Sequence, residues 1–293
     1  MNEYLLAAVL GIVEGVTEFL PVSSTAHLRI SEALLGVDLS NGYWKMFSIV
    51  IQLGAILCLS IYFRGRIAEF LRTFPRGRNG DRTVLTHPLS LTALAFLFTA
   101  VPAFLLTKII GKHLENVFIM AAALVLGGVV MWVVDAMYAR GWFVSANPGT
   151  RTAEVERMSA LQAIGIGACQ TLSAVFPGTS RSMATIAAGQ VAGMTRAAAL
   201  EFSFLLSIPT MVAAIGYDLL KALRHPAGRS AIGAGPANAA QWAALGIGLV
   251  VSFVVAYAVV AWFMRWVRNR GFVPFAVYRI AFGLLVLAWA VRR

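Results

Sequence analysis

The hydrophobic positions of this chain fall into six long runs that are separated by shorter polar segments. Each run has about the length that an α-helix needs to cross a bilayer, roughly 20 residues. The predicted spans are residues 47–63, 89–107, 117–138, 202–220, 242–264 and 275–291, and the first of these can extend back over 42–46. A mean hydropathy of +0.77 and a charged content of only 13% exclude an ordinary soluble domain.

Two stretches break this pattern, because they carry polar groups inside otherwise apolar sequence. They are GIVEGVTEFLPVSSTAHL, residues 11–28, and GACQTLSAVFPGTSRSMA, residues 167–184. A shift of 156 residues superimposes glycine, proline and hydroxyl positions of the two stretches, in the pairs Gly11 with Gly167, Glu14 with Gln170, Pro21 with Pro177, and Ser24 with Ser180. The pairing indicates an internal repeat.

Residues 3–35 and 158–197 are each predicted to form a helix, a break and a second helix, with each half too short to cross a membrane. Proline ends the first helix because it has no N–H to donate. The hydroxyl residues that follow suit the N-cap of the second helix. We therefore predict two re-entrant helical hairpins, which are tolerated at membrane depth only when they are buried in protein or line a wet cavity.

Each half of the chain then contains one hairpin and three spans. Three is an odd number, so the second half is inverted relative to the first. The predicted fold is an all-α, polytopic membrane protein: six transmembrane helices plus two re-entrant helical hairpins in an inverted-topology repeat. We expect one membrane domain over residues 1–293, with halves at about 1–140 and 158–293. Such folds place their site at the repeat interface, so the hairpins are expected to meet tip to tip.

The basic residues, which give a net charge of +11, suggest an orientation. Segments 64–88, 139–158 and 265–272 carry twelve of them and the opposite side carries eight, which favours the first set as cytoplasmic and both termini as outward. Topology explains this charge without a nucleic-acid partner. The arginine-rich segment 64–88 could instead bind a protein or an anionic lipid.

Two carboxylates and a hydroxyl cluster make the first stretch a candidate for chemistry. Glu14 and Glu18 are four apart and share a helix face, where they could act as a base or hold a divalent cation, Mg²⁺ or Ca²⁺, with substrate phosphate oxygens. They could also simply be polar residues at a membrane surface. Ser24 lies where His27 or a carboxylate could take its proton and make it a nucleophile. Ser23 and Thr25 are expected to cap the helix or contact phosphate.

The second stretch has the groups that bind phosphate. A glycine lets the backbone approach a ligand, hydroxyls and N–H groups donate to phosphate oxygens, and a guanidinium matches two oxygens at once. The predicted binding residues are Gly178, Thr179, Ser180, Arg181 and Ser182. Arg181 could alternatively neutralise Glu14 or Glu18. Arg279, a further cation in the last span, is expected to pair with a carboxylate.

EGVTEFLPVSSTAHL and PGTSRS resemble the two signature motifs of the undecaprenyl-diphosphate phosphatase family, also called bacitracin-resistance proteins, and the resemblance covers nearly the whole chain, including EFSFLLSIP and PFAVYR. It implies hydrolysis of undecaprenyl diphosphate in the bacterial plasma (inner) membrane, for recycling of the peptidoglycan lipid carrier. It also implies a divalent cation and an active site on the outer, periplasmic face. By resemblance Glu14 and Glu18 belong to the glutamate motif, Ser24 and His27 are nucleophile and acid/base, and Arg181 binds phosphate. The chain departs from the family at Met183, where glycine is common.

The expected partners are a prenyl diphosphate lipid and the membrane lipids, with no organic cofactor; a homodimer is left open. Two further alternatives stay open as well. Water could attack the phosphorus directly while Ser24 only positions the substrate. The protein could also be a secondary transporter or a flippase for a lipid phosphate or other anion, because inverted repeats with broken helices are typical of transporters.

Overall fold

A computed structural model describes residues 2–37, 42–106, 116–142, 151–224 and 235–292. This part of the chain is all-helical, as predicted, with one 3₁₀ turn at Val155–Arg157 and one isolated bridge between Thr152 and Met194. The α-helices are α1 Glu3–Thr17, α2 Ser24–Leu34, α3 Gly42–Tyr62, α4 Arg64–Thr73, α5 Pro88–Leu105, α6 Val117–Ala139, α7 Ala160–Val175, α8 Arg181–Val191, α9 Arg196–Arg224, α10 Ala239–Asn269 and α11 Val273–Val291. Lys108, Lys112, Arg229 and Arg293, which enter the charge count, lie outside the described residues.

Six of these helices are long and apolar enough to cross a membrane: α3, α5, α6, α9, α10 and α11. They cover the six predicted runs, so the protein is a multi-pass membrane protein. Two of the predicted spans were too short: α9 already begins at Arg196, and α10 extends to Asn269. Polar residues at these ends continue the helix although they do not continue the apolar run.

The two polar stretches form helix–break–helix motifs, as predicted. Their four helices have 15, 11, 16 and 11 residues. At about 1.5 Å per residue, each is shorter than the roughly 30 Å of a hydrocarbon core. The motifs are called hairpin 1 (α1 and α2) and hairpin 2 (α7 and α8); their re-entrance into the membrane remains a prediction. Pro21 does not end α1, which stops earlier at Thr17, because residues 18–22 already form turns.

The segment 64–88 contains a helix that the charge pattern did not predict. Helix α4 begins two residues after the end of α3. It buries Phe70, which has only 4% of its surface exposed, and keeps most of its arginines toward solvent. The helix is therefore amphipathic, although its many arginines hide this in a hydropathy profile.

The described residues group into two compact units. Unit one comprises Met1–Phe19, Ser24–Tyr62 and Ser207–Trp262. In this unit α1 packs against α10 with the two backbones in close contact. A Cβ on Gly11 would lie 2.7 Å from the Gly248 carbonyl oxygen, and one on Gly15 would lie 2.8 Å from the Ser252 carbonyl oxygen. Glycine is therefore required on this face of α1.

Unit two comprises Leu20–Ser23, Phe63–Leu206 and Phe263–Arg293. Here α7 packs against α5, with Gly167 so close to Ala95 that no side chain fits between them. The hydroxyl of Thr99 donates to the Gly167 carbonyl at 2.8 Å. Each hairpin thus packs its first helix, through a glycine, on the second span of the other predicted half. The single domain and its two repeat halves remain predictions.

Candidate active site

The turn of hairpin 1 brings a carboxylate and a hydroxyl together in unit one. Glu18 follows α1 as its C-cap, with its N–H donating to the Glu14 carbonyl at 2.9 Å. Ser24 is the first residue of α2, and its Oγ donates to Glu18 Oε2 at 2.5 Å. Of the two proton acceptors considered for Ser24, the structure joins Glu18 to it. A serine that donates to a carboxylate has the arrangement of a nucleophile with a general base.

Two more of the predicted site residues are buried in unit one. Glu14 is fully buried, and it lies on the same side of α1 as Gly11 and Gly15, which contact α10. His27 is 9% exposed and lies three residues after Ser24, so the two residues are close to the same face of α2. Ionisable groups in apolar surroundings are expensive and are retained mainly for function. Thr25, by contrast, is exposed.

Hairpin 2 makes a tighter turn in unit two. Gly178 has a φ of +97°, and a Cβ there would lie 2.5 Å from the Met120 carbonyl oxygen, so only glycine fits. The Thr179 N–H closes the turn on the Phe176 carbonyl at 3.1 Å. Ser180 is the N-cap of α8, as predicted for this cluster: its Oγ accepts from the Met183 N–H at 3.4 Å. The Ser180 and Ser182 hydroxyls are 3.1 Å apart.

The break of hairpin 1, residues Leu20–Ser23, belongs to unit two and contacts hairpin 2 there. Ser182 Oγ donates to the Leu20 carbonyl at 3.0 Å. Arg279 bridges the two breaks more extensively, since its guanidinium donates to the Pro21 carbonyl at 3.0 Å and to the Gly178 carbonyl at 3.0 Å. A third bond, at 3.1 Å, reaches the Ala123 carbonyl of α6. The expected contact between the tips is present for these residues.

The prediction that Arg279 pairs with a carboxylate is wrong: within the part of the chain that the structure describes, its three hydrogen-bond partners are backbone carbonyls. The side chain is fully buried. Turns leave carbonyl oxygens without helical partners, and a guanidinium carries five N–H donors that can satisfy several of them. Arg279 is therefore a positioning residue, because it holds the backbone of both breaks.

The two hairpins match with a different register from the one that the sequence suggested. Ser23 and Ser180, at φ values of 75° and 68°, each precede the second helix. The first helical residues are then Ser24 and Arg181, which are 157 rather than 156 positions apart. Counted from the matched prolines, Pro21 and Pro177, the second helix begins one residue later in hairpin 2, so the shift of 156 does not match Ser24 with the first helical residue of hairpin 2. The candidate nucleophile and the candidate phosphate-binding arginine occupy equivalent places in the two hairpins.

Met183, which stands where the family commonly has glycine, is a buried packing residue. The side chain is 4% exposed, and its terminal methyl lies against Gly127 of α6, where a Cβ would approach it to 2.8 Å. Met183 is therefore part of the packing between α8 and α6 in unit two. Compared with glycine, the larger methionine side chain fills space between α8 and α6.

These features define a class: a polytopic, all-helical membrane protein with two broken-helix hairpins, one carrying an acid–hydroxyl pair and the other an arginine. The family model of Bacitracin resistance protein BacA matches residues 7–285, and the chain belongs to this family. Among its curated relatives named undecaprenyl-diphosphatase, the protein from Koribacter versatilis is 68% identical over the full length of both chains. The relative from Sorangium cellulosum is 43% identical over 96% of this chain and 84% of its own. That from Rhizobium leguminosarum is 40% identical over 98% and 97%.

Proposed function

We propose that this protein hydrolyses undecaprenyl diphosphate to undecaprenyl phosphate and inorganic phosphate, and thereby recycles the lipid carrier of peptidoglycan synthesis in the bacterial inner membrane. The observation that carries the proposal is the hydrogen bond from Ser24 to Glu18, found in a chain whose full-length relatives are named undecaprenyl-diphosphatase. A hydroxyl activated by a carboxylate is suited to attack on phosphorus.

In the proposed mechanism Ser24 Oγ attacks the terminal phosphorus while Glu18 accepts the hydroxyl proton. A bond forms between Oγ and phosphorus, the bond between that phosphorus and the bridging oxygen breaks, and undecaprenyl phosphate leaves with the bridging oxygen. Glu18 passes this proton to the leaving phosphate. Water then attacks the phosphorus of the phosphoserine while Glu18 accepts one of its protons; the bond between phosphorus and Oγ breaks, inorganic phosphate leaves, and Glu18 returns the proton to Oγ. His27 is the further acid/base of this set, three residues after Ser24 on α2.

Arg181 is assigned to the charge on the transferred phosphoryl group, because a guanidinium binds two phosphate oxygens at once. Support comes from its position as the first residue of α8, where free N–H groups and the helix dipole also favour an anion. The remaining binding residues are assigned to the phosphate oxygens as a set, comprising Ser23, Thr25, Gly178, Thr179, Ser180 and Ser182. The charge bias of the loops supports access from the outer face.

Glu14 and Glu18 are the residues that would hold a divalent cation. Among the described residues no group of three or more His, Cys, Asp or Glu side chains could hold a metal by itself. Two carboxylates nevertheless fit Mg²⁺ or Ca²⁺ of the kind that completes its shell with substrate phosphate oxygens and water. A bound ion would supply positive charge next to the diphosphate.

The decisive experiment uses purified protein in detergent, where no second compartment exists. Phosphate release from a prenyl diphosphate is expected, with and without added Mg²⁺ or Ca²⁺ as the two arms. A transporter or flippase would release no phosphate under these conditions, so the absence of turnover from folded protein in both arms would overturn the proposal. Ser31→Ala, in the same helix as Ser24, serves as the matched control and should keep full activity.

The serine route is tested separately from the overall reaction. Substrate labelled in the terminal phosphate is mixed with excess enzyme, and the quenched protein is digested and analysed by mass spectrometry for phosphoserine at Ser24. Complete turnover with no labelled peptide, on the time scale of the first cycle, would favour direct attack by water, with Ser24 positioning the substrate.

A further inference from the structure

Residues 64–87, here called the basic connector, join α3 to α5 and lie outside the catalytic assignment. They carry six arginines against two carboxylates. Helix α4 begins immediately after one membrane-spanning helix, and the connector ends at the residue before the next. Both ends are therefore fixed at the same membrane face, and the connector has to lie near the lipid headgroups.

One of the six arginines is already used to hold the fold. Arg66 Nε donates to Glu201 Oε1 at 2.8 Å, and its Nη1 donates to Glu156 Oε1 at 2.5 Å. Burial raises the pKa of Glu156, but the hydrogen bonds from Arg66 outweigh it and leave that pKa below its ordinary value. The acid stays ionised, and Arg66 is committed to this cluster.

Three other arginines line one shallow surface depression. Arg64, Arg72 and Arg78 surround a volume of about 710 Å³ together with Ala68, and Glu69 is the single acidic residue there. Arg78 is 81% exposed although its Nη1 lies 3.6 Å from Glu69 Oε1, and Arg64 and Arg72 are exposed as well. The depression therefore has a net positive charge and is open to a ligand from outside the protein.

Exposed apolar side chains accompany these arginines. On α4, Leu71 is 63% exposed and lies on the same helix face as Arg64 and Ala68, which are seven and three positions earlier. Phe74 just after α4 and Leu85 near the end of the connector are 46% and 78% exposed. Leucine and phenylalanine beside arginine on an exposed face are typical of a helix that lies in the membrane interface.

We propose that the basic connector binds anionic phospholipid at this membrane face, with a headgroup phosphate in the depression lined by Arg64, Arg72 and Arg78 and with Leu71 against the acyl chains. The charge selects an anionic lipid over a zwitterionic one, and the exposed apolar residues select a lipid over a water-soluble anion. Helix α4 then anchors the loop on the surface of the bilayer, apart from the phosphatase chemistry.

The test is thermal unfolding of the purified full-length protein in a neutral detergent, titrated with phosphatidylglycerol. Phosphatidylglycerol should raise the unfolding temperature of the wild type, whereas phosphatidylcholine and inorganic phosphate at the same concentrations should not. The variant with Arg64→Gln, Arg72→Gln and Arg78→Gln should need far more lipid for the same shift, since each arginine at a membrane surface contributes about fivefold in affinity, or roughly a hundredfold together.

A matched control removes the same charge at exposed sites elsewhere, with Arg140→Gln, Arg268→Gln and Arg292→Gln, and should keep the wild-type titration midpoint. Equal midpoints for both triple variants and the wild type, or an equal loss in both variants, would overturn the proposal. So would an equal response to phosphatidylcholine or to inorganic phosphate. If the connector triple variant does not fold, Arg72→Gln alone and Leu71→Ser carry the test. An Arg181→Ala background should retain the lipid shift, which separates this surface from the proposed catalytic site.

Discussion

The two hairpins share a backbone plan and differ in the side chains placed on it. Their first helices have 15 and 16 residues, their second helices both have 11, and a serine with positive φ precedes each second helix. At the first position of that second helix, hairpin 1 carries Ser24 and hairpin 2 carries Arg181. The two hairpins thus present equivalent helix N-termini, one with the hydroxyl assigned to the attack on phosphorus and the other with the cation assigned to phosphate binding.

The first helices show the same division. Gln170 in hairpin 2 donates from Nε2 to Thr99 Oγ1 at 3.1 Å, and Thr99 in turn donates to the Gly167 carbonyl. This is a neutral, buried contact that holds α7 against α5. The matching residue in hairpin 1 is Glu14, which brings an ionisable group to the corresponding helix face. Hairpin 2 therefore has a packing contact at the position where hairpin 1 carries one of the two carboxylates assigned to the proposed site.

The largest effect is expected from removing the acid–hydroxyl pair of hairpin 1. Ser24→Ala or Glu18→Gln should lower kcat for phosphate release by about 10³-fold or more, since a base and its nucleophile act as one unit. Ser180→Ala in hairpin 2 should cost only about 1 kcal/mol of stability, as for a lost helix cap, and about tenfold or less in kcat. Equal losses of kcat in the two hairpins would remove the distinction between them.

The next effect concerns the cation of hairpin 2. Arg181→Ala should lower kcat/KM by roughly 10² to 10³-fold, because the charge on the transferred phosphoryl group loses its partner. Arg181→Lys should recover part of this, since it restores the charge without the two-pronged geometry. Steady-state phosphate release gives both values, with Arg268→Gln as an exposed arginine control. Activity of Arg181→Ala close to that of the control would contradict the assignment.

Arg279→Met tests the bridge between the breaks and should act mainly on stability. Three carbonyls lose their donor, and at about 1 kcal/mol for each unmade hydrogen bond the variant should lose roughly 3 kcal/mol of unfolding free energy. Thermal unfolding in detergent measures this, and Arg292→Met, at an exposed position, provides the control. An unfolding temperature equal to that of the control would show that the bridge does not stabilise the breaks.

The six spans and the two broken helices could be predicted because each depends on hydropathy summed over many residues. The register between the hairpins could not, because one extra residue in a turn changes no composition or period. The amphipathic α4 was missed for a related reason: Arg64, Arg66 and Arg72 dominate the hydropathy average, while the burial of Phe70 depends on its tertiary neighbours.

The site residues divide in the same way. Glu18 and Ser24 were identified from residue type and spacing, and the structure adds which acceptor Ser24 uses. The partners of Arg279 could not be found by matching charges, since every residue has a carbonyl and only the fold decides which of them lack donors. A buried arginine near two predicted turns was the available signal.

The smallest expected effect concerns the first helices of the two hairpins, α1 and α7, which carry Glu14 and Gln170 at matching positions. Gln170→Leu removes one hydrogen bond while the Thr99 hydroxyl keeps its acceptors at Ala95 and Gly167, so it should cost about 1 kcal/mol and change phosphate release by about twofold or less. Glu14→Leu should instead lower phosphate release by at least about tenfold, because it removes one of the two carboxylates available for a base or a cation. Unfolding temperature and activity measured together on both variants resolve the two contributions. If Gln170→Leu abolished activity while the protein stayed as stable as the wild type, hairpin 2 would carry chemistry at this position too.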